Sequence, residues 1–383
     1  MKHDHQGDGV DQGRRGMSRR TLLGSGGVAL GLALAAPGAA SGSGLADGVR
    51  ASGERQAGVA RPRVPQPHLL LAVFEIVGDP SPLLAALGSR ILDAAAGDHP
   101  ALGGLDPGDL TVTVGVGPRL VAMNHPGSIG SEALPPFPRE EIDDLHRDGD
   151  LVLQICATDP LLPALVLALL TGSQPQLRER WRQRGMRGGA VPVRRGHAAA
   201  RNLLGFVDGV AVPTSPEELD DSVWIDDGPA AGGTLMVVRR IEIDVARFGA
   251  LSVPAQEAVI GRRRASGAPL SGGGRAADVD LQAKTADGRY RIPVDAHVRR
   301  AHPRPAGVPL MLRRSYSMDD PLGLLFISMQ RELSTFSRTL ERMSESDALL
   351  SFTRTTASGS FLVLPGFDKA RSLGSTLFGS GRR

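Results

Sequence analysis

Hydrophobic residues along the chain follow two rhythms in turn. HLLLAVFEIVG, from His68, is a continuous apolar run of strand character. PLLAALGSRILDAAAG follows, with Leu, Ile and Ala at helical spacing. LTVTVGVG, from Leu110, reads as a strand by its Val/Thr alternation, and GDLVLQICA supplies another. DPLLPALVLALLTG predicts a helix with Asp159 as N-cap and Pro160 in the first turn. The second half repeats the style. TLMVVRRIEIDV, LMLRRSY and GLLFISMQ predict strands. RELSTFSRTLERM predicts a helix with Leu333, Phe336 and Leu340 on one face, and SFLVLP closes the core. Strands and helices thus alternate in two comparable halves, a pattern that by itself sets the class as α+β or α/β.

Residues 41–66 are rich in Gly, Ser, Ala and Pro and read as a linker. The Gly-rich SGGGRAADVD near Gly272 reads as a surface loop; no GK[ST] follows it, so it is no phosphate cradle. Ahead of the linker, residues 1–40 read as a twin-arginine signal peptide: Ser18-Arg19-Arg20-Thr21-Leu22-Leu23, then the weakly apolar GSGGVALGLALAAPGAA. That stretch is too short and too glycine-rich for a spanning helix. Gly38 and Ala40 set cleavage after Ala40. Arg14-Arg15 is a second pair in a poorer context, and Met1 and Met17 both stand as starts. The signal predicts passage through the twin-arginine translocation machinery to a periplasmic or extracellular destination.

Composition narrows the chemistry. The net charge is +3, with scattered arginines and no basic face interleaved with aromatics, so no nucleic-acid partner is expected. Aromatic residues are 4% of the chain; Trp181, Trp224, Tyr290 and Tyr316 are the few side chains that could route electrons to the surface as radicals. Cys156 is the only cysteine, so there is no intramolecular disulfide and no CxxCH for covalent haem attachment. Within LVLQICA it is expected to be a buried core thiol.

Three stretches make chemical sense together: GFVDG from Gly205 to Gly209, IPVDAHVRRAHP around His297, and MLRRSYS with Arg313. They resemble the dye-decolourising (DyP-type) haem peroxidase family, in its twin-arginine-exported, deferrochelatase-like branch. The resemblance runs from ERQAGVARP at Glu54 to SFLVLPGF ending at Phe367. Between them GLDPGDLTVTVGVGP, LPPFPREEID, GDLVLQICATDP, GGTLMVVRRIEIDV, QEAVIGRRRASGAPLSGG and GLLFISMQREL come in the family's order. The resemblance implies an α+β fold of two ferredoxin-like halves with antiparallel sheets flanked by helices. The halves would be residues 67–210 and 211–383, with the haem pocket mainly in the second.

The same resemblance assigns roles. His297 would be the iron ligand of a non-covalent haem b, and Asp347 in SESDALLSF aligns with the acid that accepts the proton of the imidazole. A surface acid at a helix end is the other reading of Asp347. Asp208 would shuttle the peroxide proton, and Gly205 and Gly209 would let the backbone approach the porphyrin. Arg313 would supply fixed positive charge; alternation on a strand sends Arg314 to the opposite face. Relatives commonly read GFxDGTxNP, where this chain has Val210 and Val212; His302 and Ser315 stand where Asn is found in relatives.

The reading is an exported haem b peroxidase that reduces hydrogen peroxide and oxidises dye- or phenol-type organic donors through a ferryl intermediate. Two alternatives stay open: iron extraction from haem beside an iron transporter, and a non-catalytic haem carrier motivated by Val210 and Val212. A homo-oligomer is also left open.

Overall fold

The computed structural model describes residues 49–97 and 99–379. The signal expected at residues 1–40 lies outside the described residues.

Strands β1 (His68–Ile76), β2 (Thr111–Val116), β3 (Leu151–Ala157) and β4 (Leu177–Met186) form an antiparallel sheet in the order β4-β1-β3-β2. The helices Pro80–Ala96 and Leu162–Thr171 cross over it. This is a ferredoxin-like βαββαβ unit. β1 and β3 are apolar almost throughout because both faces of this sheet are covered. Leu83, Leu84, Leu87 and Ile91 of the first helix pack on one face, and the barrel interior takes the other.

The second half repeats the order. β8 (Thr234–Ile243), β9 (Leu312–Arg313), β10 (Tyr316–Asp319), β11 (Leu322–Gln330) and β12 (Thr353–Val363) are arranged β12-β8-β11-β10, with β9 on the same edge of β11 as β10. The helix Leu333–Ser346 crosses over to β12 and buries Phe336. A small separate sheet joins the halves in sequence: β5 (Ala190–Arg194), β6 (His197–Arg201) and β7 (Val207–Asp208).

The two four-stranded sheets meet at both edges. β12 pairs with β2 through Leu362↔Val116 and Val363↔Gly115, and β10 pairs with β4 through Ser317↔Met186. Eight strands therefore close into a ring, and every second side chain enters one shared interior. Leu71, Val73, Trp181, Met236, Val238, Ile327, Met329 and Phe361 fill it. Cys156 lies there too, accepting a hydrogen bond from Tyr316 Oη at 3.5 Å; burial pushes the thiol up to about 11. Among the described residues no helix is long and apolar enough to cross a membrane.

Three local expectations need correction. Residues 49–66 of the expected linker pack on the body. Val59 is fully buried, and Gln56 donates to the carbonyls of Val114 and Leu364 while accepting from Val114 N, all at 2.8 Å. Composition suggested solvent, but a buried amide satisfied on three sides is structure. The helix expected from Asp159 begins at Leu162, because the Asp159 carboxylate accepts from Leu161 N and forms a turn of its own. LMLRRSY is interrupted at Arg314-Ser315, yet Arg313↔Ser328 and Tyr316↔Leu325 keep one register, and Arg314 N bridges to Ile327 O.

Gln56→Ala would leave the Val114 N–H without its partner inside the protein. The expected loss is about 1–3 kcal/mol of stability, read as a lower urea midpoint with unchanged slope.

Candidate functional site

Asp208 ends β7, pinned by the Ala200↔Asp208 pair to β6. The turn before it is tied at several points. Asn202 Oδ1 accepts from Leu204 N and Phe206 N, and Arg201 reaches across to the carbonyls of Gly205, Arg264 and Ala265. Gly205 takes φ +80°, and an added Cβ would lie 2.9 Å from Arg264 Nε. Phe206 anchors the turn in an apolar cluster with Phe248 and Ile260. After Asp208, Gly209 holds φ +90° while its carbonyl lies 2.8 Å from His197 Nε2.

Arg313 comes from β9. Pairing puts it on one face of the second sheet with Ser328 and Val237, whereas Arg314 shares the interior-facing side with Ile327 and Val238. Arg313 Nη1 donates to Ala211 O at 3.2 Å, and Nη2 lies 3.8 Å from Asp208 Oδ1. The two side chains remain 27% and 37% exposed, so the couple is open to a small reactant. A gap of about 20 Å³ between them, walled also by Asn202, Ser315 and Leu324, has room for one water-sized molecule. On the Arg313 face, Ser328 Oγ is buried without a hydrogen-bond partner.

His297 opens the short helix His297–Arg300 after a loop anchored by buried Ile292 and Ala296. Its Nδ1 lies 2.8 Å from Asp347 Oδ2. Asp347 caps the end of the helix Leu333–Ser346; its side chain is fully buried, and Oδ1 accepts from Leu349 N. Burial alone would pull the imidazole pKa down, but the Asp347 carboxylate outweighs it and holds His297 above its ordinary value. Asp208 also acts on His297 to raise it and Arg313 to lower it, so the two couples lie within electrostatic reach of each other.

The residues singled out from sequence thus form two couples, His297–Asp347 and Asp208–Arg313, with Gly205 and Gly209 on the loop behind Asp208. Asp347 is no surface acid. His302 does not join them: its Nδ1 accepts from Arg304 N and caps the helix Pro303–Ala306. Val210 and Val212 are buried among apolar neighbours. Two contributors escaped the sequence reading. Gly261, at φ +91°, lets the His297 loop approach; a Cβ there would meet Val298 Cγ2 at 2.4 Å. Its place after the apolar run QEAVI was a helix-end signal. Arg262 is buried, and its pKa is lowered first by burial and then by Arg313. Nothing local distinguished it from Arg263 and Arg264.

The donor set suits a redox macrocycle. One imidazole nitrogen is engaged by a buried carboxylate, which leaves Nε2 to ligate, and the Asp208–Arg313 couple can hold or move a proton. Fold and site together define the class as a peroxidase. The chain belongs to the DyP-type peroxidase family: residues 66–187 match its N-terminal domain and residues 199–368 its C-terminal domain. It is 36% identical over 298 residues to the dye-decolorizing peroxidase of Thermobifida fusca, covering 72% of this chain and 69% of that protein. The deferrochelatase of Shigella sonnei is 30% identical over 370 residues, 85% and 86% of the two chains. Among solved structures, a DyP-type peroxidase from Cellulomonas bogoriensis superposes with a TM-score of 0.76 at 32% identity, covering 86% and 97%. Ferric DtpA from Streptomyces lividans gives 0.77 at 29%, covering 85% and 96%.

A raised folded pKa means that His297 binds a proton more tightly folded than unfolded. In ligand-free protein the His297–Asp347 pair should therefore contribute its full stability below about pH 6.5, and lose it as pH climbs through the raised value. Asp347→Asn should flatten this dependence, measured as urea midpoints at about pH 6 and about pH 9.

Proposed function

We propose that this protein is an exported haem b peroxidase in which His297 holds the iron, and Asp208 with Arg313 handles hydrogen peroxide. The observation that carries the reading is the pair of couples within electrostatic reach of each other, His297–Asp347 at 2.8 Å and Asp208–Arg313 at 3.8 Å. Haem, when bound, supplies the redox centre that passes electrons from donor to peroxide. His297 would present Nε2 to the iron, with Asp347 drawing on the Nδ1 proton and keeping the ring electron-rich. Asp208 would take the proton of one peroxide oxygen and return it to the other. Arg313 cannot deprotonate, and so offers a fixed charge where the oxygens become anionic. One peroxide takes up two electrons and two protons, from two one-electron donors of dye or phenol type, and leaves as two waters.

The deferrochelatase relatives favour a second reading, iron release from haem at the same site. Iron recovered with intact porphyrin after incubation with haem would support it. Export rests on Arg19-Arg20 and the segment after it. A cofactor held without covalent bonds must be inserted into a folded protein, and the twin-arginine route carries folded proteins.

His297→Ala should abolish the Soret band of haem-loaded protein, and His302→Ala should keep it. Retention in the first and loss in the second would overturn the ligand assignment. Arg313→Leu should slow the peroxide reaction by about 10²–10³-fold, the cost of one preorganised donor. Asp208→Asn should slow it no more than that, since a water can relay the proton; rapid mixing at the Soret band decides. Arg19→Lys with Arg20→Lys should leave unprocessed, folded precursor in the cytoplasm, checked by fractionation and immunoblot.

A further inference from the structure

The backbone that carries Asp208 runs out of strand pairing at the residue itself. β7 ends at Asp208, and among the described residues 209–213 make no backbone–backbone hydrogen bond. Val210 and Val212 still anchor this segment by their buried side chains. Gly209 has no side chain to anchor, and it borders a cavity of about 430 Å³ behind the loop. It also holds φ +90°, which a glycine adopts about as readily as a negative φ. Yet this glycine sets the aim of Asp208, because Gly209 N donates to Asp208 Oδ1 at 2.6 Å. A peptide free to turn here would take the carboxylate with it.

Three side chains stand in for the missing ladder. His197 Nε2 lies 2.8 Å from Gly209 O, Arg313 Nη1 donates to Ala211 O at 3.2 Å, and Arg194 Nη2 donates to Thr214 Oγ1 at 2.9 Å. His197 is the one that acts next to Asp208. A carbonyl can only accept, so Nε2 carries the proton. Burial holds the imidazole pKa below its ordinary value, and Arg194 and Arg187 act in the same direction. At neutral pH the ring is therefore neutral, with its one proton committed to Gly209. His197 stands on β6 three residues before Ala200, the pairing partner of Asp208. One strand thus holds Asp208 by its backbone and Gly209 by a side chain. The imidazole is half-buried and does not line the gap beside Asp208, so it touches no reactant there.

We infer that His197 is a positioning residue: by holding the Gly209 carbonyl it fixes the residue whose N–H aims the Asp208 carboxylate into the gap shared with Arg313. The effect on peroxide rests on the reading of Asp208 as the proton carrier; the clip on Gly209 does not. Without His197 the carboxylate is present but poorly aimed. A misplacement of about 1 Å can slow a reaction about 10²-fold, and the anchor at Ala211 limits how far this segment can drift.

The test uses haem-loaded protein. His197→Met keeps the bulk and removes the donor, and His197→Gln keeps a donor at similar reach. His197→Met should slow the reaction with hydrogen peroxide about tenfold, the contribution of one hydrogen bond, read by rapid mixing at the Soret band. The rate at which a phenol reduces the peroxide-treated protein should stay unchanged, and His197→Gln should recover most of the loss. Deuterium uptake by segment 205–212 of the resting protein should rise in His197→Met and not in His197→Gln. His197→Ala supplies the same readings should the methionine fail to pack. Equal slowing by Met and Gln, or equal loss in the peroxide and phenol steps, would reduce His197 to a general structural role and overturn the proposal. A wild-type peroxide rate in His197→Met beside a slowed Asp208→Asn would overturn it as well. Wild-type rates in both would remove the peroxide role of Asp208, and the positioning role with it, while the uptake still decides whether His197 clips Gly209.

Discussion

The alternation of side chains along β9 and β10, one interrupted strand from Leu312 to Asp319, is the constraint on which the rest depends. The strand keeps a single register on β11, so successive residues must point to opposite faces. Leu312, Tyr316 and Met318 enter the barrel core, and Ser317 makes the backbone pairing that closes the ring against β4. Arg313 is thereby sent out to Asp208 and Arg314 to the cavity behind the loop. A slip by one residue would exchange the two arginines and expose the core residues at one stroke. The closure of the fold and the orientation of the site are one geometric fact.

Around that strand, the buried charges show where the chain holds function against stability. Asp347 is satisfied on both oxygens, by Leu349 N and by His297, so its burial is compensated and the imidazole is locked in place. Arg239 is likewise compensated, 2.7 Å from buried Glu140, and it tethers the loop around Phe137 to β8 with the Phe137 and Phe336 rings nearby. A half-broken pair of this kind costs more than the intact pair contributes, which makes both arrangements rigid. Among the described residues buried Arg314 has no such carboxylate partner; its Nη1 donates to Pro62 O at 2.9 Å.

The departures from the family's usual residues are absorbed by packing. Val210 and Val212 extend apolar clusters where relatives carry a hydroxyl and an amide, while Asp208 and Arg313 keep their approach. His302 caps a short helix with its ring nitrogen, a service an Asn side chain also performs. Ser315 Oγ accepts from Ile327 N at 3.3 Å and so belongs to the strand edge. Of the four Trp and Tyr side chains, only Tyr290 reaches the surface, at 38% exposure, and it lies between Lys284 and Arg299. Two cations against the ring disfavour a cationic radical there.

By itself the sequence determined the elements and the cast of residues. The period of its apolar positions set the helices and nearly all the strands, since that period is a local property read within a few residues. GFVDG, AHVRRAHP and MLRRSYS named Asp208, His297 and Arg313 by resemblance to a family. Tertiary structure alone decided what depends on distance across the chain. It closed two sheets into one ring and folded Gln56 of a linker-like stretch into the core. It brought Asp347 to His297 across fifty positions of sequence. It also separated Arg262 from Arg263 and Arg264, identical residues in the same local context. Burial, pairing and electrostatic reach arise only when remote segments share one space, and no pattern along a chain encodes them locally.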